Sequence, residues 1–305
     1  MSEKKNNSAI AGSLLLVVIL WGGNNVGTKW LVATWPPIWT GATRFLVAGL
    51  FLLAILRFTN WLGEFKPLSR ESNRQLWFRG GLSLAAYIVA FAWALKLTAA
   101  SHVALYLGAS PVWALLWEER PKRNWASARR YGAAFLAVAG VLVLFWPALK
   151  IADTNLAGEF CGVASSLLWA NYNHQSRFLS AKISGLEIAA SAMWMSGVWL
   201  LPFGLLEIAA RGIATDSRHF FVQTLCILFG GVVPYALWNS ALHHWRTSRV
   251  MLFNNFIPLT TTAWAHFALR EPITSTFCAE MALIVAGVFL GQADWSKILK
   301  QPETF

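Results

Sequence analysis

Two stretches of the chain set an indole, a carboxamide and a cation at intervals of four residues: Trp21, Asn25 and Lys29, then Trp169, Asn173 and Arg177. Neither set pairs a nucleophile with a base. Their chemistry is non-covalent. An indole stacks on rings or amines, a carboxamide gives and takes hydrogen bonds, and a cation attracts carboxylates. Other polar and aromatic residues have the same character. Tyr235, Trp238, Asn239 and Leu242 recur at i, i+3, i+4 and i+7, so they share one face of a helix. Tyr87, Phe91 and Ala94 run in similar phase, and Asn255, Pro258 and Thr262 share another face.

Covalent chemistry finds little support. Gly108-Ala109-Ser110-Pro111 has the G-x-S-x form of a rhomboid-type membrane protease, but a proline follows the serine. No phosphate-cradling loop, H-E-x-x-H or metal-ligand cluster is present in the sequence. Cys161, Cys226 and Cys278 are scattered through apolar runs and form no C-x-x-C pair. The expectation is a non-enzyme with no cofactor and no metal.

The elements that hold these residues follow from composition. Hydrophobic types make up 56% of the 305 residues and charged types only 13%, about half the usual charged share. A bilayer core of about 30 Å needs about 20 apolar residues per helix. Ten runs qualify: 9–31, 38–58, 76–97, 100–117, 128–146, 156–179, 186–209, 220–245, 250–269 and 276–292. The first run has no A-x-A site after it and reads as an uncleaved span. Open sheets cannot cross lipid. The net charge of +11 is located by counting Lys and Arg between spans. With the N-terminus inside, eighteen fall on inner segments and five on outer ones. That is the positive-inside bias, and it makes nucleic acid an unnecessary partner. Both termini are expected in the cytoplasm of a cell with the chain in its inner (plasma) membrane.

The chain is also doubled. Leu20 to Leu31 recurs as Leu168 to Leu179, shifted by 148 residues, and Gly49 matches Gly197. At a shift of 147, Ser101, Val103, Leu105 and Pro111 match Ser248, Val250, Leu252 and Pro258. Five spans per copy is an odd number, so equivalent helices must cross in opposite directions. The expected fold is an all-α membrane protein of ten transmembrane helices in two inverted five-helix repeats, an arrangement typical of secondary transporters. The predicted layout is an inner tail (1–8), a first repeat (9–147), an outer linker (148–155), a second repeat (156–293) and an inner tail (294–305).

These motifs together resemble the drug/metabolite transporter superfamily, in particular its EamA-type ten-helix members. The carriers are the two LW-x-x-x-N-x-x-x-[KR] helices, Pro111 and Pro258 in the fourth helix of each half, and the junctions Glu119-Arg120-Pro121 and Glu271-Pro272-Ile273. The resemblance implies export of small metabolites through a central cavity lined mainly by helices one, three, four, six, eight and nine. Ser110 and Ile257 stand where many members carry Glu before the proline.

Polar groups inside lipid face the bundle or a wet cavity. On that ground Trp21, Asn25, Tyr87, Asn173, Tyr235, Trp238, Asn239 and Asn255 are the expected substrate contacts, with helix-to-helix bonding as the alternative for the asparagines. Lys29, Arg44 and Arg177 are expected as charges near the cavity mouths, or else as snorkelling cations. Pro111 and Pro258 are expected to kink their helices, and Glu280 reads as the clearest acid within a span. More cations than acids favours carboxylated substrates, amino acids first. The expected partners are a small-molecule substrate and the lipid bilayer, with a coupling proton left open. The chain is read as a monomer or homodimer. A channel-like facilitator is the alternative function, and a rhomboid-like enzyme the remote one.

Overall fold

The computed structural model describes residues 2–59, 68–110, 155–244 and 252–275, with isolated positions between 113 and 142 and between 277 and 286. The side chains of Asn239 and Asn255, all of Pro111 and Glu280, most of the linker, the C-terminal tail and most of the fifth and tenth expected spans lie outside the described residues.

Every described element is helical. Helix α1 covers Ser2–Thr34 and α2 covers Pro37–Phe58. Helix α3 runs over Arg70–Leu97, α4 over Ala100–Gly108, α5 over Leu156–Leu179 and α6 over Gly185–Arg211. Helix α7 is continuous through Ser217–Leu225, Cys226–Val232 and Val233–His244. A 3-10 turn at Leu252–Phe256 leads into α8, Ile257–Leu269. Five helices are long and apolar enough to cross a membrane: Ser8–Thr34, Pro37–Phe58, Arg70–Leu97, Gly185–Arg211 and Ser217–Trp238. Helix α5 has the length of a span but carries too many polar groups to join that set, Glu159, Asn171, Asn173 and Arg177 among them.

The ends of these helices assemble in two groups. At the Pro36 end, Trp35 Nε1 donates to Ala214 O at 2.9 Å and Ile38 N donates to Glu207 Oε2 at 2.8 Å. Lys29 Nζ donates to Thr98 O at 2.6 Å, and a Cβ on Gly158 would lie 2.8 Å from Leu97. At the opposite, Ser184 end, Leu76, Leu179, Ile183 and Ile188 form one buried cluster. Helices α1 and α3 therefore finish at the Pro36 end, where α5 and α7 begin. Helix α2 begins there and α6 finishes there. Each described helix runs opposite to its counterpart in the other half.

Helices α2 and α6 form the seam between the halves. A Cβ on Gly49 would lie 2.4 Å from Trp194 N, and one on Gly197 would lie 2.5 Å from Leu46 Cβ. The two glycines matched by the repeat thus make the same close approach from opposite sides. Lipid tails are as apolar as Leu, so such helices associate by packing, which small residues at the contact permit.

The third helix of each half contains a π-helical turn, Leu76–Gly81 in α3 and Cys226–Val232 in α7. Such turns often mark functional sites. Both turns contain a Gly-Gly pair packed against the other half: a Cβ on Gly81 would meet Met195 of α6, and one on Gly231 would meet Ala48 of α2. Pro258 stands where the 3-10 turn passes into α8 rather than in the interior of an α-helix. It sits in the first turn of α8, where its missing N–H has no intrahelical partner to lose.

Candidate functional site

The repeat places four rings at equivalent positions, and the fold pairs them across the halves. Trp21 of α1 meets Tyr235 of α7, centroids 5.7 Å apart and edge-on. Trp169 of α5 meets Tyr87 of α3 at 4.9 Å. Each pair takes its indole from one half and its phenol from the other. Trp238 extends the first pair at 5.2 Å from Trp21. Tyr172 and Phe91 extend the second, at 5.4 Å from Trp169 and 5.5 Å from Tyr87. Trp21 Nε1 is held by Gly230 O at 3.2 Å, on the π-helical turn of α7.

Arg44 lies among these rings, only 4% exposed. Its guanidinium stands 4.8 Å from the Phe45 ring and 5.8 Å from the Phe91 ring. Nη1 donates to Asn24 Oδ1 at 3.3 Å and to the Thr28 hydroxyl. Tyr87, Tyr235 and Cys226 lie within reach of its charge. Among the described residues no carboxylate stands within ion-pair distance of it. The arginine is therefore buried against neutral acceptors and ring faces, which excludes the snorkelling alternative for this residue. A buried cation without an anion is costly, and an anionic ligand would relieve that cost.

Two family-model matches span residues 9–146 and 156–291, both to the EamA-like transporter family. The chain belongs to the EamA-like transporter family. It is 24% identical over 290 residues to an uncharacterized transporter of Archaeoglobus fulgidus, covering 88% of this chain and 98% of that one. A Salmonella typhimurium protein described as a probable amino-acid metabolite efflux pump is 24% identical, over 90% of this chain and 92% of its own. A probable terminal-alkyne amino-acid exporter of Streptantibioticus cattleyicolor is 25% identical, over 85% and 90%. A solved crystal structure superposes with a TM-score of 0.61 at 18% identity, over 96% of this chain and 99% of that one. The last shares the fold. The chain is thus an integral membrane transporter of small molecules, related to the drug/metabolite transporters. Its family is one of transporters, consistent with a role other than catalysis.

Within this transporter the other expected site residues divide. Asn25 Nδ2 donates to Thr261 Oγ1 of α8 at 3.0 Å in a buried contact, so its carboxamide bonds one helix to another. Gly22 permits that contact, since a Cβ there would lie 2.8 Å from the α8 backbone. Asn173 Nδ2 donates to Trp169 O one turn back. Trp238 is buried in a cluster with Leu14 and Val17. Lys29 is half-buried and ties α1 to the Thr98 carbonyl. Arg177 lies at the Ser184 end, far along α5 from the rings, beside a cavity of about 360 Å³ that also meets Ser72, Gln75 and Lys182. The sequence-expected set is therefore gathered only in part: Trp21, Arg44, Tyr87, Tyr235 and Trp238 converge, while Lys29 and Arg177 stand toward opposite ends.

Acids are better represented than Glu280 alone would suggest. Glu159, in the first turn of α5, is 2% exposed. It accepts from the Tyr106 hydroxyl at 2.6 Å and from the Thr98 hydroxyl, and His102 Nδ1 lies 3.1 Å away. Glu271 accepts from Ala100 N at 2.8 Å and from Ser101 N and Oγ at 3.2 and 2.6 Å. It follows Arg270, whose left-handed backbone (φ 57°) ends α8. Glu207 accepts from the first N–H groups of α2. All three carboxylates come from the second half, all three bind the first, and all three sit at the Pro36 end. Glu207 and Glu271 sit at the N-termini of α2 and α4, and Glu159 in the first turn of its own helix, where a negative charge is favoured. In sequence Glu159 stands in the first turn of its helix, Glu207 in the last turns of α6 and Glu271 just beyond α8, so the signal was their place near the ends of the apolar runs.

Proposed function

We propose that this transporter exports amino acids, with apolar or aromatic side chains preferred, by alternating access about the seam of α2 and α6. The observation that carries this reading is the buried Arg44 between two Trp–Tyr pairs, each shared by both halves. The guanidinium supplies a carboxylate anchor. The rings supply a surface for an apolar side chain and, by cation–π attraction, for an ammonium group. Rings contributed from both halves change their spacing when the halves rock, so binding and rocking are coupled. The two relatives described as amino-acid exporters support the same substrate class.

The complete arrangement is proposed as ten transmembrane helices in two inverted five-helix repeats, at 9–147 and 156–293, with both termini cytoplasmic in the inner membrane. In that orientation the Pro36 end faces outward. Its polar clasp, with Glu159, Glu207 and Glu271 of one half on α2 and α4 of the other, makes it the closed side. The test is counterflow in proteoliposomes with L-phenylalanine, phenethylamine and 3-phenylpropionate. Saturable exchange of L-phenylalanine that exceeds both single-group analogues supports the reading. Equal flux of phenethylamine removes the carboxylate anchor, and flux that does not saturate favours a channel-like facilitator.

A further inference from the structure

We propose that His102 and Glu159 form a proton-binding pair whose occupancy is linked to closure of the Pro36 end. The inference rests on the transport reading above. The pair bridges the halves, since His102 belongs to α4 and Glu159 to α5. The His102 side chain is 31% exposed and that of Glu159 only 3%. The imidazole is thus the partly exposed member of the pair and the carboxylate the buried one.

The surroundings leave this role to the pair. On α4, Tyr106 donates its hydroxyl to Glu159, and the Thr98 hydroxyl does so from the α3–α4 junction. On α1, Lys29 is engaged by the Thr98 carbonyl. Beyond α8, Glu271 has both oxygens taken by the start of α4. On α3, Lys96 lies toward the Trp93 ring, and Arg211 and Glu207 are the charges that act on it. Phe277 stacks parallel to the imidazole at 6.3 Å. Among the described residues, no Lys or Arg stands within ion-pair distance of Glu159.

The proton balance is simple. One proton binds the imidazole and makes it a cation beside the carboxylate; no bond between heavy atoms forms or breaks. Of the two, the imidazole is the group that gains or loses a proton while the carboxylate keeps its three hydrogen bonds. With the proton bound, the imidazolium compensates the buried anion. When the proton leaves, Glu159 remains as a buried anion among neutral donors, an expensive arrangement in a low dielectric. Separation of α4 from α5 lets water reach the carboxylate and removes that cost. Proton loss and opening of this end are thereby one linked equilibrium.

Two measurements test the pair, and the first needs no substrate. Hydrogen–deuterium exchange of the purified transporter in lipid nanodiscs is followed at residues 156–166, corrected for the intrinsic pH dependence. Protection is expected to fall with rising pH in the wild type, and to lose this dependence in His102→Gln. A wild-type profile flat in pH overturns the proposal. So does an unchanged dependence in His102→Gln. The second measurement compares L-phenylalanine counterflow with uptake driven by an imposed pH gradient. A gradient of about one unit drives up to about tenfold accumulation for one proton per substrate. The wild type is expected to accumulate, whereas His102→Gln and Glu159→Gln are expected to keep counterflow and lose accumulation. Accumulation by both variants at the wild-type level overturns the coupling. If L-phenylalanine shows no wild-type counterflow, the substrate reading fails, and the exchange measurement alone decides the pair. If Glu159→Gln fails to fold, His102→Gln carries both tests, because its side chain is partly exposed.

Discussion

Trp21 meets Tyr235 and Trp169 meets Tyr87, so each half lends the centre the same two rings. Arg44 has no such counterpart, because Ala192 stands 148 residues on. Glu159 has none either, since Ala11 occupies the matching place. The duplicated parts are the close approaches and the aromatic faces. Among the charged residues Lys29 and Arg177 are matched, whereas the buried Arg44 and Glu159 are not. A symmetric frame can rock between two related arrangements, and an asymmetric charge gives the site at its centre a direction, which suits a ligand with unlike ends.

The largest effect tests the frame. Gly49→Leu and Gly197→Leu each force a side chain into the opposing helix, and overpacking costs about 1–3 kcal/mol or more where backbone must move. Both are expected to lose most of the folded protein by size-exclusion yield, and by similar amounts. Gly12→Leu is the control, since a Cβ there meets nothing within 4 Å. A tolerant Gly197 beside an intolerant Gly49 would break the equivalence of the two sides.

Next comes the charge. Arg44→Gln removes the proposed carboxylate anchor, and hydrogen bonds to charged groups contribute about 1.5–3 kcal/mol. L-Phenylalanine counterflow is expected to fall about 10- to 100-fold in kcat/KM, with phenethylamine little affected. Ala192→Ser, at the matching place, is expected to leave both unchanged.

The rings should matter less and more evenly. Trp21→Leu and Trp169→Leu each remove an aromatic contact of about 0.5–1.5 kcal/mol, which is about two- to tenfold in transport. Trp21→Leu is expected to be the worse, because it also leaves Gly230 O without the indole N–H. A much larger loss for Trp169 would sharpen the comparison in the other direction.

The smallest effect concerns the caps of the third helix in each half. Ser69 accepts from Ser72 N at the start of α3, and Asp216 accepts from Arg218 N and His219 N at the start of α7. Burial pushes the Asp216 carboxyl slightly up, but hydrogen bonds from His219 and Arg218 and the charge of His219 outweigh this and hold it below the usual Asp range. Its contribution is therefore present above the ordinary Asp pKa and lost as pH falls through the lowered folded value. In thermal melts, Asp216→Asn should differ from wild type at neutral pH and converge with it in acid. Ser69→Ala, a loss of about 1 kcal/mol, should differ at every pH.

Much of the frame was legible before any coordinates. The bounds of α2, α5 and α6 lie within a few residues of the apolar runs that announce them, because an amphiphilic or apolar run and its caps are local properties. The pairing of Gly49 with Gly197 was legible as a repeat, although not as a contact. The site was less legible. Arg44 looked like a cation able to reach a headgroup, and only the packing of Phe45, Phe91 and Asn24 around it shows that it stays buried. Asn25 was readable either as a substrate contact or as a bond between helices, and only the packed structure shows its hydrogen bond from α1 to α8. Glu159 drew no attention because it stands in the first turn of its helix, where an acid is ordinary.

The residues alone carry the doubled order of apolar helices, and with it the expectation that an odd count inverts the copies and gathers the basic charge on one rim. These follow from period, length and composition, which act along the chain. Which Trp meets which Tyr, what shelters Arg44, and which helix Glu159 clasps were decided only by the tertiary structure. Those contacts join residues far apart in sequence. They exist because two glycines let α2 and α6 approach closely enough to bring the halves into register.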